Sequence, residues 1–290
     1  MSLASTHPLP NVLSAVCAAA LSMALFLPCT ACAEIKLGIL PRLGPVELFT
    51  MFNPLAEYLS RETGQKVSIV IPKDFAAFKR AVQENNFELA FANPLIYVQL
   101  RQELPVRPLA VAAEPRAGSR FRGVVICRKD SSLHALQDLK GKKLIFVDKD
   151  SAGGYLFQML LLSRAGVGRG DITFLPFGKK HDNVLQAVLN GVADAGGIRE
   201  DDLDKFKTKG DASQIRILGY TDYFPNWPVF AAPGLDRDVA AKITAALKRL
   251  QPNSEKARTL LRSAGLIGFE PVTDEDYEQL RQAARLVGAL

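Results

Sequence analysis

From residue 35 onward, short apolar runs alternate with stretches in which apolar residues recur every three or four positions. The first kind reads as buried strand and the second as helix lying on a core. Ile35 to Leu40 predicts a strand. Pro45 to Arg61 predicts a helix with Leu48, Met51, Phe52, Leu55 and Leu59 on one face. Lys66 to Ile71 and Phe87 to Phe91 follow as strands, with helices at Asp74 to Gln83 and Leu95 to Leu100. Val106 to Ala113 ends this first set. A second set places strands at Phe121 to Arg128, Lys143 to Val147, Ile172 to Leu175, Val192 to Ala195 and Ile215 to Tyr220. Its helices run from Tyr155 to Arg164, His181 to Leu189 and Arg199 to Phe206. After the segment Phe224 to Ala231 the pattern predicts only helices, at Asp236 to Leu250, Ser254 to Ser263 and Asp274 to Leu286. Helices without strands of their own must pack on an earlier sheet, so the chain is expected to return to the first set. The expectation is α/β: two lobes with mostly parallel sheets flanked by helices. Two crossover segments, near 117–122 and 220–227, would join them.

The leader changes the picture of where the chain works. Val12 to Pro28 is almost wholly apolar, and no Lys, Arg, Asp or Glu precedes Glu34. Ala31-Cys32-Ala33 is a small-residue site of the kind that signal peptidase cuts. The run is short for a membrane span of about 20 residues, and a positive n-region is missing. Export with cleavage after Ala33 is the favoured reading; a lipid anchor at Cys32 and a retained membrane anchor are its rivals. Of four cysteines, Cys17, Cys29 and Cys32 would leave with this leader. Cys127 alone cannot form an internal disulfide, so a large core must hold the exported chain together.

Charge narrows the ligand rather than naming it. The net charge is +6, with basic residues scattered among acidic ones. No basic stripe with interleaved aromatics points to nucleic acid, and a positive balance favours small anions over cations. Three histidines and no Cys/His cluster at ligand spacing leave neither a metal nor another cofactor expected.

In open α/β sheets, ligands sit where strand ends pass into helices. Four loops qualify: Pro41-Arg42-Leu43-Gly44, Ala92-Asn93-Pro94, Asp148 to Gly154, and Phe177 to Asp182. In the third, Ser151 offers a hydroxyl, and Gly153 and Gly154 allow close approach to a helix N-terminus. Such a terminus carries unpaired N–H groups and partial positive charge, both suited to an oxyanion. The bland alternative is a plain N-cap at Ser151, stabilising the helix by about 1 kcal/mol.

Further residues place the chain beside a known family. Phe121-Arg122-Gly123-Val124-Val125, Arg128-Lys129-Asp130-Ser131 and Asp138-Leu139-Lys140-Gly141-Lys142-Lys143 occur in order. The series continues with Asp148 to Tyr155, His181-Asp182-Asn183 and Gly191-Val192-Ala193-Asp194-Ala195. This order resembles the phosphonate-type (phosphate/phosphite/phosphonate) periplasmic solute-binding proteins of ABC transporters, across Ile35 to Leu286. The resemblance implies a type II-like two-lobed fold that closes on a small anion without catalysis. It implies a leader at 1–33, one lobe from 34–119 and 223–290, and a second lobe from 120–222. It also implies a Ser-Thr-Ser-Gly anion loop, of which Ser151 keeps the first hydroxyl. Ala152 and Gly153 stand where the other two hydroxyls would be, each a loss of about 1.5–3 kcal/mol of charged hydrogen bonding. His181 keeps the family's His. The acids that hold a ligand amine find their nearest counterparts at Asp201 and Trp227, and a family Tyr falls on Ala92. A changed ligand is implied, without an amine.

For His181 a solvated helix start is the alternative to ligand contact. Arg122 and Arg42 are candidate bidentate partners of the anion, against an ordinary solvated arginine. Trp227 is an apolar wall of the cleft or simple core. Asp201, in the run Glu200-Asp201-Asp202, reads as a solvated helix start. Ser151, His181 and an Asp superficially suggest a hydrolase, but no Gly-x-Ser-x-Gly elbow is present. The expected partners are a small anion and a membrane permease, or a sensor kinase in its place, with the protein itself a monomer.

Overall fold

A computed structural model describes residues 1–2, 34–208 and 212–290. The apolar run at 12–28, Cys17, Cys29, Cys32 and the cleavage site expected after Ala33 therefore lie outside the described residues. From Glu34 to Leu290 the chain forms one compact unit.

The chain opens with β1 (Ile35–Ile39), α1 (Pro45–Thr63), β2 (Val67–Val70), α2 (Phe75–Gln83), β3 (Leu89–Phe91), α3 (Pro94–Glu103) and β4 (Arg107–Ala113). Local chemistry sets these boundaries. Pro45 and Pro94 occupy first helical turns, where a missing N–H costs nothing, and Gly64 ends α1 in the left-handed conformation at φ 73°. Asp74 and Asn93 cap their helices by accepting the N–H groups of Ala77 and Ile96.

The chain then passes through β5 (Arg120–Phe121) into β6 (Gly123–Arg128), β7 (Lys143–Ile145), α4 (Phe157–Arg164), β8 (Thr173–Phe174), α5 (His181–Leu189), β9 (Ala195–Arg199), α6 (Glu200–Lys207) and β10 (Ile215–Tyr220). It returns through β11 (Phe224–Pro225) to β12 (Pro228–Ala231), α7 (Arg237–Lys248), α8 (Glu255–Leu261), β13 (Gly268–Glu270) and α9 (Glu278–Leu286). The two passages between the main sheets pair with each other: β5 and β11 form an antiparallel ribbon with Phe224 opposite Phe121.

Two main sheets organise the molecule, in the orders β13-β4-β12-β3-β1-β2 and β10-β6-β9-β7-β8. Both are mixed, which corrects the expectation of mostly parallel sheets. In the first, β1 pairs in parallel with β2 and β3, but β12 and β13 run antiparallel to their neighbours. In the second, β6 pairs antiparallel with both β9 and β10. The returning segment also contributes strands β12 and β13, the latter where only helices were expected beyond Ala231.

Helices cover both faces of each sheet. Leu48, Phe52, Leu55 and Leu59 of α1 pack with Ile243 and Leu247 of α7 over the first sheet. The core on its other face continues through Phe121, Ala152, Leu156, Phe157 and Phe224. Phe157 stacks on Phe224 with centroids 3.9 Å apart, so α4 is fastened to the paired crossovers. None of the described helices is long and apolar enough to cross a membrane.

Candidate functional site

A cleft of about 1390 Å³ opens at the carboxyl ends of β1, β3, β7 and β9. The first-sheet lobe brings Arg42, Asn93, Glu114 and Trp227 to it; the second brings Ser151, Ala152, Gly153, His181, Arg199 and Asp201.

The anion-loop candidate has an unexpected backbone. The segment Ala152–Leu156 forms a π-helical turn ahead of α4, and the N–H of Leu156 donates to the Ser151 carbonyl at 3.1 Å. Ser151 caps this turn, its Oγ accepting the Gly154 N–H at 3.1 Å. A hydroxyl that accepts one hydrogen bond still has its own proton to donate, so capping and ligand contact do not compete. Being first in the turn, the N–H groups of Ala152 and Gly153 have no acceptor within the helix. Gly154 lies behind Ser151, against Val147, and is not among the cleft-lining residues.

His181 starts α5 beside this loop. Its Nδ1 accepts the backbone N–H of Arg199 at 3.2 Å and lies 3.5 Å from Asp202. A neutral imidazole accepting at Nδ1 carries its proton on Nε2 and can donate from there. Burial pushes the His181 pKa down, with Asp202 opposing it. The neutral donor form is thus favoured.

Arg42 is the notable cation of the first lobe. Its guanidinium carbon sits 5.2 Å from the Trp227 ring centroid, and among the described residues no carboxylate pairs with it. Arg42 is exposed to solvent at the mouth of the cleft, and the partial desolvation by nearby walls lowers its pKa, with Glu114 opposing. Trp227 is half-buried, one face on the core and one on the cleft, so its two expected roles coexist.

Other predicted residues have different duties. Arg122 is bound bidentately to Glu200 at 2.6 and 2.7 Å and lies over the rings of Tyr220 and Tyr223. It is not among the cleft-lining residues, which corrects its candidacy. Asn93 lines the cleft with its amide committed: Oδ1 caps α3, and Nδ2 donates to the Asp150 carbonyl at 3.1 Å, linking the lobes. Ala92 is fully buried. Asp201 is no solvated helix start, since its carboxylate accepts from Arg199 at 2.7 Å.

Sequence reasoning missed Arg199 and Glu114 altogether. Arg199 ends β9; its Nη2 donates to both Glu114 and Asp201, and its guanidinium lies 4.2 Å from the Phe121 centroid. Burial opposes the Arg199 charge, but Glu114, Asp201 and Asp202 outweigh it and raise the pKa. Asp201 is raised by burial, with Arg199 opposing. The available signal was an arginine set against three acids at a strand end.

The family model described as "ABC transporter, phosphonate, periplasmic substrate-binding protein" matches residues 37–277. The chain belongs to this family. The Phosphate-import protein PhnD of Mycolicibacterium smegmatis is 27% identical over 276 residues, covering 88% of this chain and 86% of that protein. The Tetrathionate sensor histidine kinase TtrS of Salmonella typhimurium is 26% identical over 231 residues, but the match spans 73% of this chain and 39% of the kinase. Among solved structures, PhnD1 of Prochlorococcus marinus with methylphosphonate has a TM-score of 0.74 at 18% identity, covering 89% of this chain and 99% of that one. A Xanthomonas citri protein with bound chloride has a TM-score of 0.78 at 21% identity, covering 88% and 98%. These likenesses establish a two-lobed binding-protein fold, and the family is one of binding proteins rather than enzymes.

Proposed function

We propose that this protein captures a small oxyanion, of the phosphonate, phosphite or phosphate kind, by closing two lobes around it. The observation that carries the reading is Arg42: a guanidinium with no carboxylate partner among the described residues, in the same cleft as the Ser151 cap and the first-turn amides of Ala152 and Gly153. One lobe supplies full positive charge, and the other supplies neutral donors from Ser151, His181 and the backbone. Only a closed form lets a small ligand touch both sets, so binding stabilises closure. The open volume exceeds the roughly 300–1,000 Å³ of ordinary ligand pockets, which gives closure room to act.

In this reading residues 34–119 and 223–290 form one lobe, 120–222 the other, and 1–33 an export leader to the periplasm. The protein works as a monomer and hands its closed form to a membrane permease. The likeness to a sensor kinase supports a second outlet, delivery to a membrane histidine kinase; co-purification from membranes distinguishes the two.

A thermal-shift panel of methylphosphonate, phosphite, phosphate, methanesulfonate, tetrathionate and succinate tests the ligand class. At least one oxyanion is expected to raise the melting temperature. Loss of the charged contact in Arg42→Ala is expected to weaken that ligand by about tenfold to a hundredfold. Shifts with neutral solutes alone would overturn the reading.

A further inference from the structure

We infer that Arg199 sets the charge specificity of this cleft by filling, with its own guanidinium, the place between Glu114 and Asp201 that a cationic ligand group would otherwise take. The inference rests on the oxyanion reading for its ligand, but its central claim is about the two carboxylates.

Glu114 follows β4 in one lobe, and Asp201 lies in the first turn of α6 in the other. Both carboxylates converge on one nitrogen, Nη2 of Arg199, and all three residues line the cleft. They are well shielded, with side chains 23%, 14% and 13% exposed for Glu114, Asp201 and Arg199. Two carboxylates this close, and this far from bulk water, need a cation between them to stay ionised. An empty pair would be a site for a ligand ammonium. Here the chain provides the cation.

Arg199 is poorly placed to serve as the anion's own anchor. Its Nη2 is committed to both acids and its Nε is buried with no acceptor among the described residues, which leaves only Nη1 to meet a ligand. With two carboxylates on one guanidinium, the group as a whole carries a negative charge. Arg42, like Lys73, Arg116, Lys180 and Arg262 of the same lining, has no carboxylate paired with it among the described residues and is open to an anion.

The neighbouring loop is shaped around this arrangement. A Cβ on Gly153 would fall 2.8 Å from Cγ of Arg199 and 2.5 Å from the Phe121 ring. Glycine at 153 is therefore the residue that lets Arg199 lie across Phe121. The missing hydroxyl at 153 and the arginine at 199 are two parts of one solution. A ligand bearing an ammonium next to its anionic group meets a position already occupied by positive charge.

Two measurements on the folded, full chain test the inference. The first needs no ligand: methylguanidinium and propylammonium are added to Arg199→Ala and to the parent protein in a thermal-shift assay. They should raise the melting temperature of the variant and leave the parent unchanged; equal responses overturn the inference. The second compares ethylphosphonate with 2-aminoethylphosphonate by calorimetry. The parent should favour the amine-free ligand by about tenfold or more. Arg199→Met should erase or reverse that ratio, and Arg199→Lys should keep it. Equal loss of both ligands in a folded Arg199→Met would make Arg199 an anion anchor and overturn the inference. If the parent binds no oxyanion, the functional reading fails, while the cation rescue still decides the role of Arg199. Should the neutral variants not fold, Glu114→Gln with Asp201→Asn frees the guanidinium. Anion affinity must then rise by about tenfold; an unchanged value counts against the inference.

Discussion

His181 shows how one residue's surroundings choose its chemistry. A histidine at a helix start is ambiguous in sequence, but here Nδ1 takes the Arg199 N–H and the half-buried ring is partly desolvated by the cleft walls. The groups acting on it are Asp202 and Asp182, which favour its protonation, and Arg199 and Lys205, which resist it. Burial wins, and the folded pKa lies below the ordinary value of about 6.5. As pH falls below that value, the unfolded chain takes up the proton while the folded chain resists it. The folded state is thus destabilised progressively from about pH 6.5 down to the folded pKa. Urea midpoints at pH 7.5 and 5.5 should therefore differ less in His181→Gln than in the parent. An identical difference would mean that His181 does not contribute.

The element that most repays attention is the π turn leading into α4. An ordinary helix start was expected there, and the hydroxyl was weighed as a cap or a ligand contact. The wider turn places Ser151 Oγ on the Gly154 N–H and leaves its proton to donate. Ser151→Ala should then lower stability by about 1 kcal/mol and also weaken the oxyanion measurably. Denaturation and calorimetry on the same variant separate the two effects; a loss of stability alone would make Ser151 a cap and nothing more. Strand β9 was misplaced for a physical reason. Its Ala195-Gly196-Gly197 start reads as a turn, because glycine is unfavourable in strands. The structure needs those glycines: Cβ atoms at 196 and 197 would fall 2.7 Å from Val184 and from Phe146. Close packing of α5 on the sheet thus hides the strand, and with it the position of Arg199. Strand β13 was missed because Gly268-Phe269-Glu270 has a single large apolar residue and becomes a strand only by pairing with β4.

For the whole molecule, the contacts between lobes decide how it can move. The paired crossovers β5 and β11 are held by Asn226, which is fully buried and whose N–H donates to the Ser119 carbonyl at 2.8 Å. Within the cleft, Asn93 reaches Asp150 and Arg199 reaches Glu114. Such a frame permits rotation about the ribbon while keeping the strand ends facing one another. Small-angle scattering should show a smaller radius of gyration with the stabilising oxyanion than without it. An unchanged radius at saturating ligand would exclude capture by closure.

Much of this was legible in the sequence because apolar periodicity and capping are local. The helices of the first lobe, the Ser151 loop and the return of the chain to its first sheet all follow from neighbouring residues and the need to bury apolar faces. The choice of mixed over parallel pairing was not legible, since strand direction depends on partners far along the chain. Nor was the clearing of Arg122 from the cleft, because Glu200 and two tyrosines claim it only after folding. Above all, the sequence determined a helix start with one hydroxyl and spare amides in a loop at a strand end. The tertiary structure alone decided which charges meet it there. It spends Arg199 on Glu114 and Asp201 and leaves Arg42 without a carboxylate among the described residues, because charge pairing depends on distances that only packing sets.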